Sequence, residues 1–76
     1  MSKSEFLGQM SGMIEEAPGS LTGSEKLDDL PGWDSVAMMS FIAFVDEHFH
    51  VTLSPRQFTN AETVNDLAKL IGIEGD

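Results

Sequence analysis

The chain has 76 residues and sets 4 Lys and Arg against 13 Asp and Glu, a formal net charge of −9. That length leaves room for one small hydrophobic core and excludes a doubly wound sheet or a two-lobed enzyme with a cleft between domains. The acidic balance argues against nucleic acid or an anionic membrane surface as partner, since both select basic patches, and it favours basic protein surfaces instead.

The first predicted element runs from Ser4 to about Glu16. Phe6, Met10 and Met13 recur at helical spacing, Leu7, Met10 and Ile14 extend the same stripe, and Ser2-Lys3-Ser4-Glu5 has the spacing of a capping box. Gly8 and Gly12 weaken such a helix by about 1 kcal/mol each relative to alanine, so it depends on tertiary packing. Ala17-Pro18-Gly19-Ser20 is the expected stop. Residues 17–33 carry no sustained period. Leu21, Leu27 and Leu30 are spaced apolar anchors among Gly23, Pro31 and Gly32, and the stretch reads as one packed loop, not a linker.

Asp34 is a good N-cap for the strongest helix, Ser35 to Phe49, and Trp33 before it is placed to staple onto Met38. At 100° per residue Met38, Phe41, Ile42, Val45 and Phe49 fall in one arc, the expected core face. A second apolar row, Val36, Met39 and Ala43, lies outside that arc and runs toward Ser40 and Glu47. Val51-Thr52-Leu53 is short and extended. Ser54-Pro55-Arg56-Gln57 then opens a helical turn lasting to about Asn60. Thr63 caps the last helix, with Asp66 near its positive end; Val64, Leu67, Ala68 and Ile71 supply its stripe, and Gly72 stops it. The expected fold is all-α: three main helices and one short helix, with a long loop between the first and second, as a single domain over 1–76.

Conventional catalytic chemistry finds no support in these residues. Ser35 and His48 stand 13 residues apart on one predicted helix, about 20 Å along its axis, whereas a nucleophile and its base must approach to about 3 Å. His48 and His50 are spaced i, i+2 and read as solvated residues at a helix C-terminus, where a partly protonated imidazole is favoured. Glu15-Glu16 and Asp28-Asp29 read as solvated faces without a calcium-loop register. Without cysteine there is neither a disulfide framework nor a thiolate zinc site. Met1–Ser4 does not open a basic-then-apolar leader, and no apolar run approaches the roughly 18 residues of a membrane span. The expectation is a soluble, cytoplasmic monomer that does not insert into membranes.

Asp34-Ser35-Val36 stands apart. A hydroxyl at the first helical position points toward solvent, and an anion attached there meets unsatisfied backbone N–H groups and the positive end of the helix dipole. A phosphodiester is such an anion, and the outer row Val36, Met39, Ala43 adjoins it.

The stretch from Leu30 to Ile71 resembles an acyl carrier protein. Gly32-Trp33-Asp34-Ser35-Val36 is similar to the Gly-x-Asp-Ser-Leu attachment motif, with Val in place of the usual Leu. Phe41-Ile42, Val45 and Phe49 resemble the family's central helix, and Leu53, the short helix and Thr63-Val64 through Ile71 match the remaining landmarks. Over residues 1–29 the likeness reduces to a helix followed by a long loop. The resemblance implies that Ser35, capped by Asp34, receives phosphopantetheine from coenzyme A through a phosphopantetheinyl transferase. The arm's thiol then holds an acyl group as a thioester for acyl-loading, elongating or transferring enzymes of fatty-acid, polyketide or related biosynthesis. The chain would be a freestanding carrier, not an enzyme, contributing no chemical step itself. An aminoacyl or peptidyl carrier on the same arm and an unmodified helical interaction module are the alternatives.

The resemblance also implies a partner face of Val36, Met39, Ser40, Ala43 and Glu47. The early acidic positions common on that helix are here Ala37 and Ser40, with acid returning only at Asp46 and Glu47, which points to a specialised carrier. Met10, Met13, Met38 and several Phe side chains could line a space for the acyl chain, thioethers being adaptable fillers, but for most of them plain core packing is the leading reading.

Overall fold

The computed structural model describes residues 1–17 and 19–73. Three α-helices follow in chain order: α1 (Lys3–Met13), α2 (Ser35–Phe49) and α3 (Val64–Leu70). Short 3₁₀ turns lie at Leu27–Asp29 and Pro55–Phe58. No strand occurs among the described residues, only one isolated bridge between Lys26 and Thr63. The all-α expectation holds, and the predicted short helix is the Pro55–Phe58 turn, shorter than the span to Asn60.

Local signals set the helix starts. Ser2 Oγ accepts from the Glu5 amide at 3.1 Å while the Glu5 carboxylate accepts from the Ser2 amide at 3.0 Å, a reciprocal box. These bonds to Ser2 hold the Glu5 carboxyl below its usual range. Thr63 and Asp66 form the same box on α3, Asp66 also accepting from the Glu62 amide at 2.9 Å. Gly72, at φ +80°, ends α3 where a side chain would be strained.

The end of α1 differs from expectation. The helix stops at Met13 instead of continuing to Glu16, because Glu15 turns left-handed at φ +59° and the Glu16 amide reaches back to the Ser11 carbonyl at 2.8 Å. The stop therefore precedes the predicted breaker, whose Pro18 lies outside the described residues. His50 closes α2 in the same left-handed way, at φ +57°. A non-glycine residue there carries about 1 kcal/mol of steric cost. His50→Gly should raise the melting temperature by several degrees, and His50→Ala, which keeps the Cβ, should not; paired thermal melts check this.

Phe6, Met10 and Ile14 bury the α1 stripe, while Leu7 and Met13 are half-buried at its margin. Ser11, a polar residue absent from the predicted core, is also buried, and its hydroxyl donates to the Gly8 carbonyl at 2.7 Å. On α2 the buried residues are Ala37, Phe41, Phe44 and Val45, whereas Met38, Ile42 and Phe49 are only half-buried. The core face is thus rotated by roughly 60° from the predicted arc, at 100° per residue. The cause is α1: the Phe6 ring lies 6.4 Å from both Phe41 and Phe44 and draws that side of α2 inward.

The long loop is packed, as its anchors suggested, with Leu21 and Leu27 buried and Leu30 half-buried. It is also tied to the start of α3. The Leu27 amide donates to the Glu62 carbonyl at 2.8 Å, and the Asn65 amide to the Gly23 carbonyl at 2.8 Å. Within the loop the Glu25 carboxylate accepts from the amides of Thr22 and Gly23 at 2.9 and 2.8 Å. Its slight burial raises the pKa, but these bonds outweigh it and leave the carboxyl below its usual range. This tether helps to position the start of α2, because the loop's far end delivers the chain into that helix.

Candidate attachment site

A turn carries the backbone from the loop into α2. The Trp33 amide donates to the Leu30 carbonyl at 3.0 Å and the Asp34 amide to the Gly32 carbonyl at 3.1 Å, leaving Asp34 extended. Asp34 Oδ1 accepts from the Ala37 amide at 2.9 Å and its carbonyl accepts from the Met38 amide at 2.9 Å. Asp34 is therefore the N-cap that its sequence position predicts, and its carboxylate is committed to the helix.

Ser35 is the first residue of α2 and is exposed. Among the described residues no hydrogen bond engages its hydroxyl, and the amides of Ser35 and Val36 find no acceptor. A phosphodiester on Oγ fits this setting, since both free donors and the helix dipole favour negative charge there.

Beside it, Val36 and Met39 are each 70 % exposed, and Ser40, Ala43 and Glu47 are exposed on the same arc. These five residues form a continuous outer face. Ala37 does not belong to it: at 2 % exposure it faces the core, so its lack of charge is a packing requirement and no missing docking contact. Of the two positions read as vacated by acid, only Ser40 looks outward.

Trp33 takes other neighbours than the staple alone. Its ring meets Phe41 at 6.0 Å and Phe58 at 6.1 Å, edge-on in both cases, and it lines a surface groove with Met38. The three candidate methionines are set apart. Met10 is sealed in the core, Met13 lines a groove between α1 and the start of α2, and Met38 lines the groove beside Trp33. His48 and His50 are exposed at the far end of α2, the His48 ring tilted against Phe44 with centroids 4.7 Å apart. Among the described residues no group of three or more His, Asp or Glu side chains could hold a metal ion.

Two contributors went unread in the sequence. Gly32 packs so closely on the backbone carbonyl of Ile14 that a Cβ would collide with it. Pro31-Gly32 signals only a turn, and nothing local reveals that α1 ends against it. Glu15 and Glu16 line the groove that Asp34 and Val36 wall from the other side, and bringing them there requires the same α1 packing.

The arrangement places an exposed, unbonded hydroxyl at a helix start beside an outward apolar row. The chain matches the family described as "Phosphopantetheine attachment site" over residues 5–71, and it belongs to that family of carrier proteins, the family of the acyl carriers. Members carry a covalently attached phosphopantetheine and interact with transferases and biosynthetic enzymes, and such carrier domains are not themselves catalytic. Comparison with curated proteins and with solved structures gives no match.

Proposed function

We propose that Ser35 Oγ is the attachment point and that the chain carries acyl groups for enzymes of fatty-acid, polyketide or related biosynthesis. The observation that carries this reading is the exposed, unbonded Ser35 hydroxyl at the first position of α2, with Asp34 occupied as cap. In the loading step Oγ forms a bond to phosphorus as the diphosphate linkage of coenzyme A breaks. The nucleotide bisphosphate leaves and the hydroxyl proton passes to a base on the transferase. When bound, the prosthetic group supplies a terminal thiol for thioester formation. This chain's residues would hold the ester: Asp34 fixes the helix start, the amides of Ser35 and Val36 would be available as donors to the phosphate, and the dipole of α2 would favour its charge.

Incubation with coenzyme A and a broad-specificity phosphopantetheinyl transferase should add the mass of one phosphopantetheine, mapped to the peptide containing Ser35. No mass gain under conditions that modify a control carrier would overturn the reading.

Partner enzymes dock, on this reading, over Val36, Met39, Ser40, Ala43 and Glu47. Met39→Asp should lower kcat/KM for loading by roughly tenfold, the loss expected for a buried interface anchor. At 70 % exposure the same change should leave the melting temperature nearly unmoved. Equal losses of activity and stability would instead assign Met39 to the core.

A further inference from the structure

Two grooves lie near the start of α2, and among the described residues packed backbone or aromatic rings stand between each and the bundle interior. Toward α1 a groove of about 450 Å³ opens beside Val36, but Glu15, Glu16 and Asp34 stand on its walls. Among its lining residues Gly32 packs on the Ile14 carbonyl, backbone against backbone, a contact that no change of rotamer can open. Toward the Pro55–Phe58 turn a second groove of about 340 Å³ is lined by Leu27, Leu30, Met38, Ala61, Trp33 and Phe58. There the obstacle is aromatic. Trp33, Phe41 and Phe58 pack mutually edge-on, with centroids 6.0, 6.1 and 5.7 Å apart, the arrangement aromatic rings favour. Phe41 itself and, beyond the three rings, Phe6, Met10, Val45, Val64 and Leu67 are 0 % exposed.

We propose that Trp33 is a size-determining residue for the cargo: by completing the three-ring cluster it closes the bundle interior, so that this carrier holds acyl groups of a few carbons outside its core. The inference rests on the reading of Ser35 as attachment point. A hydrocarbon chain entering beside Ser35 has to displace a ring and break the edge-on contacts that hold it. The outer groove is at the lower end of the range of about 300–1,000 Å³ found for small-ligand pockets. It must also admit the end of the arm, which leaves space for a short acyl group.

The test loads wild type and Trp33→Ala with acetyl, hexanoyl and dodecanoyl groups from the corresponding coenzyme A thioesters, confirms loading by intact mass, then measures melting temperature and thioester cleavage by hydroxylamine. In wild type the melting temperatures should agree within about 2 °C, hexanoyl and dodecanoyl thioesters should be cleaved at equal rates, and Trp33 emission should stay constant. In Trp33→Ala stability and protection should climb with chain length, since each buried methylene favours the sequestered state by about fourfold. A wild-type dodecanoyl form that melts roughly ten degrees higher, resists hydroxylamine or shifts Trp33 emission overturns the proposal. The wild-type measurements decide the matter even if Trp33→Ala does not fold, and Trp33→Leu then serves as the opened variant. Failure of wild type to take up any group appears in the mass spectrum and sinks the attachment reading itself, a different result from a chain that loads and is sequestered.

Discussion

Ser35→Ala should abolish uptake of phosphopantetheine while shifting the melting temperature by less than about 2 °C. The stability half of this expectation rests on the absence of any structural role for the Ser35 side chain. Its hydroxyl is exposed and holds nothing together among the described residues, and the first turn is fixed by Asp34 Oδ1 on the Ala37 amide. Alanine is also the better helix former. Asp34→Ala is the informative contrast: it keeps the hydroxyl but removes the cap, at a cost of about 1 kcal/mol, so the protein should melt earlier and load more slowly without losing the ability to load. Intact mass after incubation with coenzyme A and transferase, beside a thermal melt of each variant, checks both. Mass gain by the Ser35→Ala protein would move the attachment point elsewhere.

The contrast between these two neighbours shows why the start of α2 was legible in sequence. Helix starts are decided by atoms three residues apart, so Ser2 with Glu5, Asp34 with Ala37 and Thr63 with Asp66 can be read from the order of residues alone, and all three are where the spacing puts them. The position of Ser35 at a helix start follows from that local logic. The outer row was legible too, because Val36 and Met39 are displaced from any arc that includes Phe41 and Val45.

What escaped was set by distant partners. The 60° rotation of the α2 core face, by the same 100° wheel, depends on where Phe6 of α1 lands, and a helical wheel contains no neighbour. The early end of α1 rests on Glu15 adopting a conformation that glycine or asparagine would adopt more readily. The 3₁₀ turn at Leu27–Asp29 and its bridge to Thr63 arise from pairing between segments more than thirty positions apart. Those long-range contacts also close the interior, so the number of helices could be foretold while the fate of Met10, Met13 and Met38 could not.

Gly32→Ala should destabilise the chain markedly although it adds only one methyl group. Alanine at most helix positions helps: at Gly8 and Gly12 a Cβ would meet nothing within 4 Å beyond its chain neighbours and the helix's own nearby backbone, and each substitution there should stabilise α1 by up to about 1 kcal/mol. At Gly32 the same Cβ falls on the carbonyl oxygen, carbon and Cα of Ile14, all backbone atoms. No rotamer relieves the overlap, so either the Leu30–Trp33 turn or the end of α1 must shift. Overpacking of this kind costs about 1–3 kcal/mol, occasionally more, which for a domain of this size is a fall of roughly 5–20 °C in melting temperature. The displacement should reach the site, because the Gly32 carbonyl accepts from the Asp34 amide at 3.1 Å and Asp34 in turn caps α2. Loading measured well below the melting temperature should therefore slow for Gly32→Ala and remain at the wild-type rate for Gly8→Ala and Gly12→Ala. With the gains at Gly8 and Gly12 set by helix propensity, a loss at Gly32 would report the contact between α1 and the turn that precedes Ser35. A neutral result at Gly32 would mean that the turn is free of α1 and that the α1-side entry beside Ser35 stands open.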